Sequence, residues 1–410
     1  MTQDQDLARR LGETMHRHAD ALHDTPLDLL AVRGRATTIR RRRHTAVGLV
    51  AAAAVAAVVL PLSLLPTGGG DRVDDPQPVD TPTPIEEPVP LDPRSAPAGP
   101  APRVPYVEID AKRLLTPAGA YDLPEAFPQV VPYRDGWIAL TTDTPSQTGT
   151  RVAILDGGFR ELEGTGMTTG IAVRDDGERV AWVEYTGTGW RLVNAPTTGG
   201  EAVTSDVTTA GPDAPSAAVG FLPGDHVVVE STDARTSRSS YRVVGPDRTT
   251  TATFGGFNHV VSSSPVNGLV AGQTEYSGDG SCSGVKDPLS ASRELVWETC
   301  DHQLGAFSPD GRYVVGLAPY FDGLGSPTLA ILDAATGRPV VEFVSGRSAR
   351  SAAAVGDVVW EDPTTLLATV TQGVDQYVVR ATIDGRVEVV AGPRPSEMSV
   401  EFRFPAHTFG

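Results

Sequence analysis

Phe307-Ser308-Pro309-Asp310-Gly311-Arg312-Tyr313-Val314-Val315-Gly316 is the stretch that decides the fold. A turn built on Asp-Gly runs straight into a short apolar strand. Glycine after aspartate supplies the positive φ of a tight reversal, and the valines fit a pleated, buried surface. The unit recurs as Arg134-Asp135-Gly136-Trp137-Ile138-Ala139-Leu140, as Asp176-Gly177-Glu178-Arg179-Val180-Ala181-Trp182 and as Gly224-Asp225-His226-Val227-Val228-Val229. It returns as Asn267-Gly268-Leu269-Val270-Ala271-Gly272 and, degraded, as Asp362-Pro363-Thr364-Thr365-Leu366-Leu367-Ala368.

A strand–turn–strand hairpin follows each copy, clearest in Val152–Gly158, Leu329–Gly337 and Val378–Gly385. Successive hairpins are spaced by about 40 to 51 residues, the length of a four-stranded propeller blade. The ends are informative. Tyr106–Leu115 is a hairpin without its first strand, and Ser399–Phe404 is a strand without its hairpin. Joining them predicts an all-β, seven-bladed β-propeller over 106–406, closed by a split blade that covers open edges. Six blades with an overlapping strand is the alternative.

The run Phe307 to Val315 resembles the repeat of TolB-type and WD-repeat-like bacterial β-propellers, and Val173 to Ala181 is a looser copy. The other blades depart from the motif. The resemblance covers 106–406 as architecture and implies a binding platform. It implies no reaction.

Upstream, Thr45 to Leu65 carries no charge and is long enough to cross a hydrocarbon core as a helix. Arg40 to Arg43 flank its start, so the positive-inside rule predicts a single-pass helix over 45–65 with a cytoplasmic tail (1–44) and an extracytoplasmic remainder. A cleaved secretory signal is the competing reading; the polar start reaching residue 44 and the longer apolar run favour an uncleaved anchor. In the tail, Leu7, Leu11, Met15 and Leu22 fall at helical spacing, and Thr25-Pro26 opens a second short helix. Too short to bury a core, the tail offers its stripe to a cytoplasmic partner, a second copy or the membrane surface. Residues 66–105 hold twelve prolines and read as a Pro-rich disordered stalk.

Net charge is −17, yet residues 1–44 hold nine Arg against six Asp or Glu, so the acidic excess lies in the outer part. That excludes nucleic acid as an expected partner there. Cys282 and Cys300 are the only cysteines. A hairpin with strands Ser281–Asp287 and Arg293–Cys300 sets them opposite each other, which predicts a structural disulfide in an oxidising compartment. Zinc-type spacing is absent, and His16, His18 and His23 read as solvated. No metal or cofactor is expected.

Nucleophile-elbow, zincin, P-loop, dinucleotide and calcium-loop motifs are all missing, so no catalytic residue is assigned. Two loops stand out, each joining the second and third strands of a blade. One carries Tyr320, Phe321 and Asp322; the other carries Tyr276 and Asp279. Aromatic rings beside acids make anchors for peptides or glycans, the competing reading being that Tyr320 and Phe321 plug their own loop. Trp137, Trp182, Trp297 and Trp360 fall in expected strands and read as core. The function expected is a membrane-anchored extracytoplasmic sensor or interaction platform for an envelope protein or ligand. The alternatives are an anchored glycan-active hydrolase or lyase, or an envelope scaffold. The tail lacks the His-x-x-x-Cys-x-x-Cys of zinc-binding anti-sigma factors.

Overall fold

A computed structural model describes residues 83–404 apart from 143–149, 208–214, 234, 278–279, 293, 322, 324, 349–350 and 397–400. The expected tail (1–44), membrane helix (45–65) and first part of the stalk (66–82) lie outside the described residues. Among the described residues no helix is long and apolar enough to cross a membrane.

Strand β1 (Val89–Leu91) comes first, then β2 (Tyr106–Glu108), β3 (Arg113–Thr116) and β4 (Gly119–Asp122). One seven-stranded sheet holds β5 (Gln129–Tyr133), β6 (Gly136–Thr142), β7 (Thr150–Leu155), the long β8 (Glu161–Val173), β9 (Arg179–Tyr185), β10 (Trp190–Pro196) and β11 (Val203–Val207). Next come β12 (Ser216–Leu222), β13 (His226–Asp233), β14 (Arg238–Val244) and β15 (Thr250–Phe254). After them stand β16 (His259–Ser263), β17 (Val270–Ser277), β18 (Gly280–Lys286) and β19 (Trp297–Thr299). The last two meanders are β20 (Gln303–Phe307), β21 (Tyr313–Leu317), β22 (Thr328–Asp333), β23 (Pro339–Ser345), and β24 (Ala353–Asp362), β25 (Thr365–Gln372), β26 (Asp375–Thr382), β27 (Val387–Pro395). Finally β28 (Phe402–Arg403) joins β2, β3 and β4.

First strands β8, β12, β16, β20 and β24 each lie against the next, so the sheets stand side by side around them. That is a β-propeller. Side chains of these strands stitch neighbouring sheets through main-chain carbonyls: Thr169 Oγ1 to Ser216 O (3.0 Å), Ser263 Oγ to Phe221 O (2.9 Å) and Ser262 Oγ to Gly305 O (2.7 Å). Gly220 allows the second of these, because a Cβ there would lie 2.3 Å from Ser263 Oγ.

Packing on both faces explains why the second strands read as unbroken apolar runs rather than alternating ones. In β13, Val227 and Val229 pack with Val183 and Leu192 of the preceding sheet, while Val228 packs with Val260 and Val270 of the following one. Leu366 and Ala368 likewise face one neighbour and Leu367 the other. Trp137, Trp182 and Trp360 are buried as expected; Trp297 is half-buried, its Nε1 donating to Ala334 O at 2.8 Å.

The repeat motif owes its residues to the turn. Ser308 is fully buried; its Oγ donates to Asp310 Oδ1 (2.6 Å) and accepts from Tyr313 N (3.0 Å), and Gly311 takes a φ of 71°. Gly177 and Gly268 do the same at 71° and 75°. The first copy differs, since Arg134 carries the positive φ (53°) in place of glycine.

Two expectations about the ends meet different outcomes. The C-terminal strand pairs with the N-terminal hairpin, Val107 opposite Arg403 and Glu108 opposite Phe402. Gln376 Oε1 accepts from both Glu401 N (2.7 Å) and Phe402 N (2.8 Å), and Phe402 and Phe404 are buried. The stalk boundary needs correction. Residues 83–105 are docked on the propeller instead of standing free. β1 adds in parallel to the outer edge of β23, Leu91 is 1% exposed, and Val389 N donates to Pro97 O at 2.9 Å. Arg380 binds Glu361 through two hydrogen bonds (2.7 and 3.0 Å) and reaches Pro100 O at 3.1 Å. Proline removes a donor but leaves the carbonyl, so a proline-rich chain still docks where the partner supplies the N–H.

Candidate functional site

The two loops singled out in the sequence come together. Tyr276 on β17 pairs with Ser281 on β18. Ser281 N and Ser281 Oγ both donate to Pro319 O at 3.0 Å, and Gln303 Nε2 reaches the same oxygen at 3.2 Å. Neighbouring sheets therefore set Tyr276 (66% exposed) and Tyr320 (59%) on one face. Phe321 is half-buried and packs against the core beneath its loop, so the plug reading holds for Phe321 and not for Tyr320. Asp279 and Asp322 lie outside the described residues. The corresponding loop of the next sheet adds Val374, also exposed, which sequence reasoning passed over. Its signal was there, in Gly373-Val374 between two apolar strands, but a lone valine carries no mark of function.

Cys282 and Cys300 form a disulfide. Ser283 pairs with Thr299 and Val285 with Trp297, a register that continues to Cys282 opposite Cys300. The expected second strand, 293–300, is cut to Trp297–Thr299. Serial side-chain caps explain the loss: Asp287 Oδ1 accepts from Leu289 N and Ser290 N, Ser290 Oγ from Ser292 N, and Ser292 Oγ from Glu294 N. These caps compete with a sheet ladder for the backbone.

The first strands also enclose a cavity of about 210 Å³, lined by parts of β8, β12, β16 and β20 with Gln129, Glu230 and His259. Gln129 is spent on structure, exchanging two hydrogen bonds with the Ile171 backbone (2.9 and 3.0 Å). Glu230 is buried and receives Tyr241 Oη at 3.1 Å, while His259 Nδ1 stands 3.5 Å away. Burial works to raise the Glu230 carboxyl, but hydrogen bonds from His259, Ser239 and Tyr241 outweigh it and hold it below its ordinary value. The same contact lifts His259 above the ordinary imidazole value, against its burial. The result is a carboxylate–imidazole pair on the cavity wall, which is an ion pair when His259 is protonated.

Asp175 sits at the cavity mouth, exposed to water yet flanked by protein. Desolvation of its carboxyl, then the charge of Asp176, pushes it up to about 7, and water in the mouth screens part of that rise. Arg174 beside it is taken up by Asp176 and Glu178, both at 2.7 Å, and by Asp225. None of Asp175, Glu230 and His259 was legible in the sequence, because each sits on a different strand or turn. Among the described residues no cluster of three or more metal-binding side chains occurs.

No family model matches the chain, and no curated protein matches it. Among solved structures it is similar to the Dos1 propeller at 12% identity, over 64% of this chain and 68% of that one, with a TM-score of 0.42. It is similar to the β-propeller domain of the trilobed protease from Pyrococcus furiosus at 10% identity (65% and 86%, TM-score 0.43). TolB from Acinetobacter baumannii is similar at 16% identity (63% and 67%, TM-score 0.36).

Proposed function

We propose that the chain is a single-pass membrane protein whose propeller, outside the membrane, binds an envelope protein or ligand through the face carrying Tyr276 and Tyr320. The observation that carries this reading is that two adjacent sheets bring the pair together on one face, each ring more than half exposed. Exposed aromatics cluster where a partner is gripped and are scattered elsewhere. The anchor over 45–65, with the tail 1–44 inside and free for a cytoplasmic partner, rests on the uncharged run and its arginine flank. A disulfide on the propeller fits the oxidising side. The propeller is read as seven-bladed. β8 is long enough to end one four-stranded unit and begin the next, and β28 completes the unit of β2, β3 and β4.

Photo-cross-linking in intact cells tests the binding face. A benzophenone amino acid at 276 or 320 should trap the same partner, while one at Leu162, 63% exposed on an outer strand, should not. Equal products from all three sites, or none from 276 and 320, would end this reading. The hydrolase or lyase alternative draws on one observation, the Glu230–His259 pair on the cavity wall. Glu230→Gln leaving partner capture unchanged separates the two.

A further inference from the structure

We propose that Ser281 and Gln303, tied together by the Cys282–Cys300 disulfide, form a redox-sensitive clamp on the Pro319 carbonyl that sets Tyr320 beside Tyr276. The inference rests on reading that face as the binding surface. Pro319 O accepts from Ser281 N and Oγ (both 3.0 Å) and from Gln303 Nε2 (3.2 Å), so donors from two sheets hold it. Ser281 precedes Cys282 directly, and Gln303 opens β20 just after Cys300. The bridge thus joins the two backbones that carry the donors. Ser281 is 2% exposed and enters β18 from Gly280, whose φ of 135° is open to glycine and costly for other residues. Proline's fixed φ then restricts where the next residue, Tyr320, can point.

A bare staple for β19 would need none of this, since that strand is already paired at Ser283, Gly284 and Val285. The bridge lies beyond those pairs, on the side of the Pro319 loop. Reduction by a dithiol breaks the S–S bond. The dithiol gives up two electrons and two protons, leaves Cys282 and Cys300 as thiols, and becomes a disulfide itself. Gln303 is then held near Ser281 only by weaker ties such as Leu304 N to Ser283 Oγ at 3.4 Å, so the two-sided grip on Pro319 O loosens and Tyr320 departs from Tyr276.

The full chain labelled with 3-fluorotyrosine tests this by fluorine NMR. Its nine tyrosines give signals assigned through Tyr276→Phe, Tyr320→Phe and core references Tyr241 and Tyr377, both buried. Dithiothreitol should shift and narrow the Tyr320 signal and leave the Tyr241 and Tyr377 signals in place. Gln303→Leu should move the Tyr320 signal in the same direction with the disulfide intact. A Tyr320 signal indifferent to both treatments overturns the clamp, and so does a reduction that disturbs Tyr241 and Tyr377 equally, since those rings lie in other sheets and the bridge is then a staple for the propeller as a whole. The cross-linking yield at 320 is read in the same samples. A Tyr320 signal that moves while the yield stays constant upholds the clamp and removes the binding reading instead.

Discussion

Closure of the propeller depends on a strand of two paired residues, which makes Phe402→Ala the sharpest test of the fold. Phe402 is 0% exposed and Phe404 1%; Phe402 stands edge-on to Tyr106 with ring centroids 6.0 Å apart. Truncating a buried phenylalanine costs about 3–5 kcal/mol, the transfer of the ring plus the cavity left behind. At roughly 2–3 °C per kcal/mol for a domain of this size, the thermal midpoint should fall by about 6–15 °C. Removing residues 398–410 deletes both rings and the two hydrogen bonds to Gln376. That loss approaches the whole stability of an ordinary domain, about 5–15 kcal/mol, and leaves β2 with an open edge, so aggregation is expected. Differential scanning calorimetry of the full chain with Leu162→Ala as an exposed control measures the first effect, and light scattering the second. A Phe402→Ala midpoint within about 2 °C of the parent would refute the closure, because no other described strand pairs with β2 on that side.

Three further outcomes are expected. Leu91→Ala should cost about 2–5 kcal/mol in the same calorimetric assay, since the docked segment buries it against β23; a free spacer would show no change. Reducing the disulfide should lower stability by about 3 kcal/mol on a chain-entropy account, read as a lower denaturation midpoint in urea with dithiothreitol. The Glu230–His259 pair should contribute within a pH window. Glu230, lowered below 4.5, loses its contribution as pH falls through its folded value; His259, raised above 6.5, loses its own as pH rises through its folded value. The deficit of His259→Gln should therefore be greatest between those values and shrink towards pH 9. It stays below about 1 kcal/mol because His259 is nearly half exposed. A deficit flat with pH would show that the pair is not charged.

Sequence by itself determined the repeating strands and their order, though not β1, which lies in the stretch read as stalk. Asp-Gly turns and valine runs are local codes, set by φ preference and by burial on two faces, and they repeat at a blade's length whatever lies elsewhere in the chain. The disulfide was legible for the same reason, since hairpin register follows from the turn. Tertiary structure decided everything that depends on which loops meet. Proline content marked 83–105 as unable to form a core, yet says nothing of carbonyls that a neighbouring edge can engage. Tyr320 and Phe321 are adjacent and chemically alike, and only the packing beneath their loop turned one outward and the other in. Glu230 and His259 lie on different sheets, so their proximity exists only once first strands converge around a common cavity. Residue type specifies local conformation, while a site assembled across sheets is a property of closure.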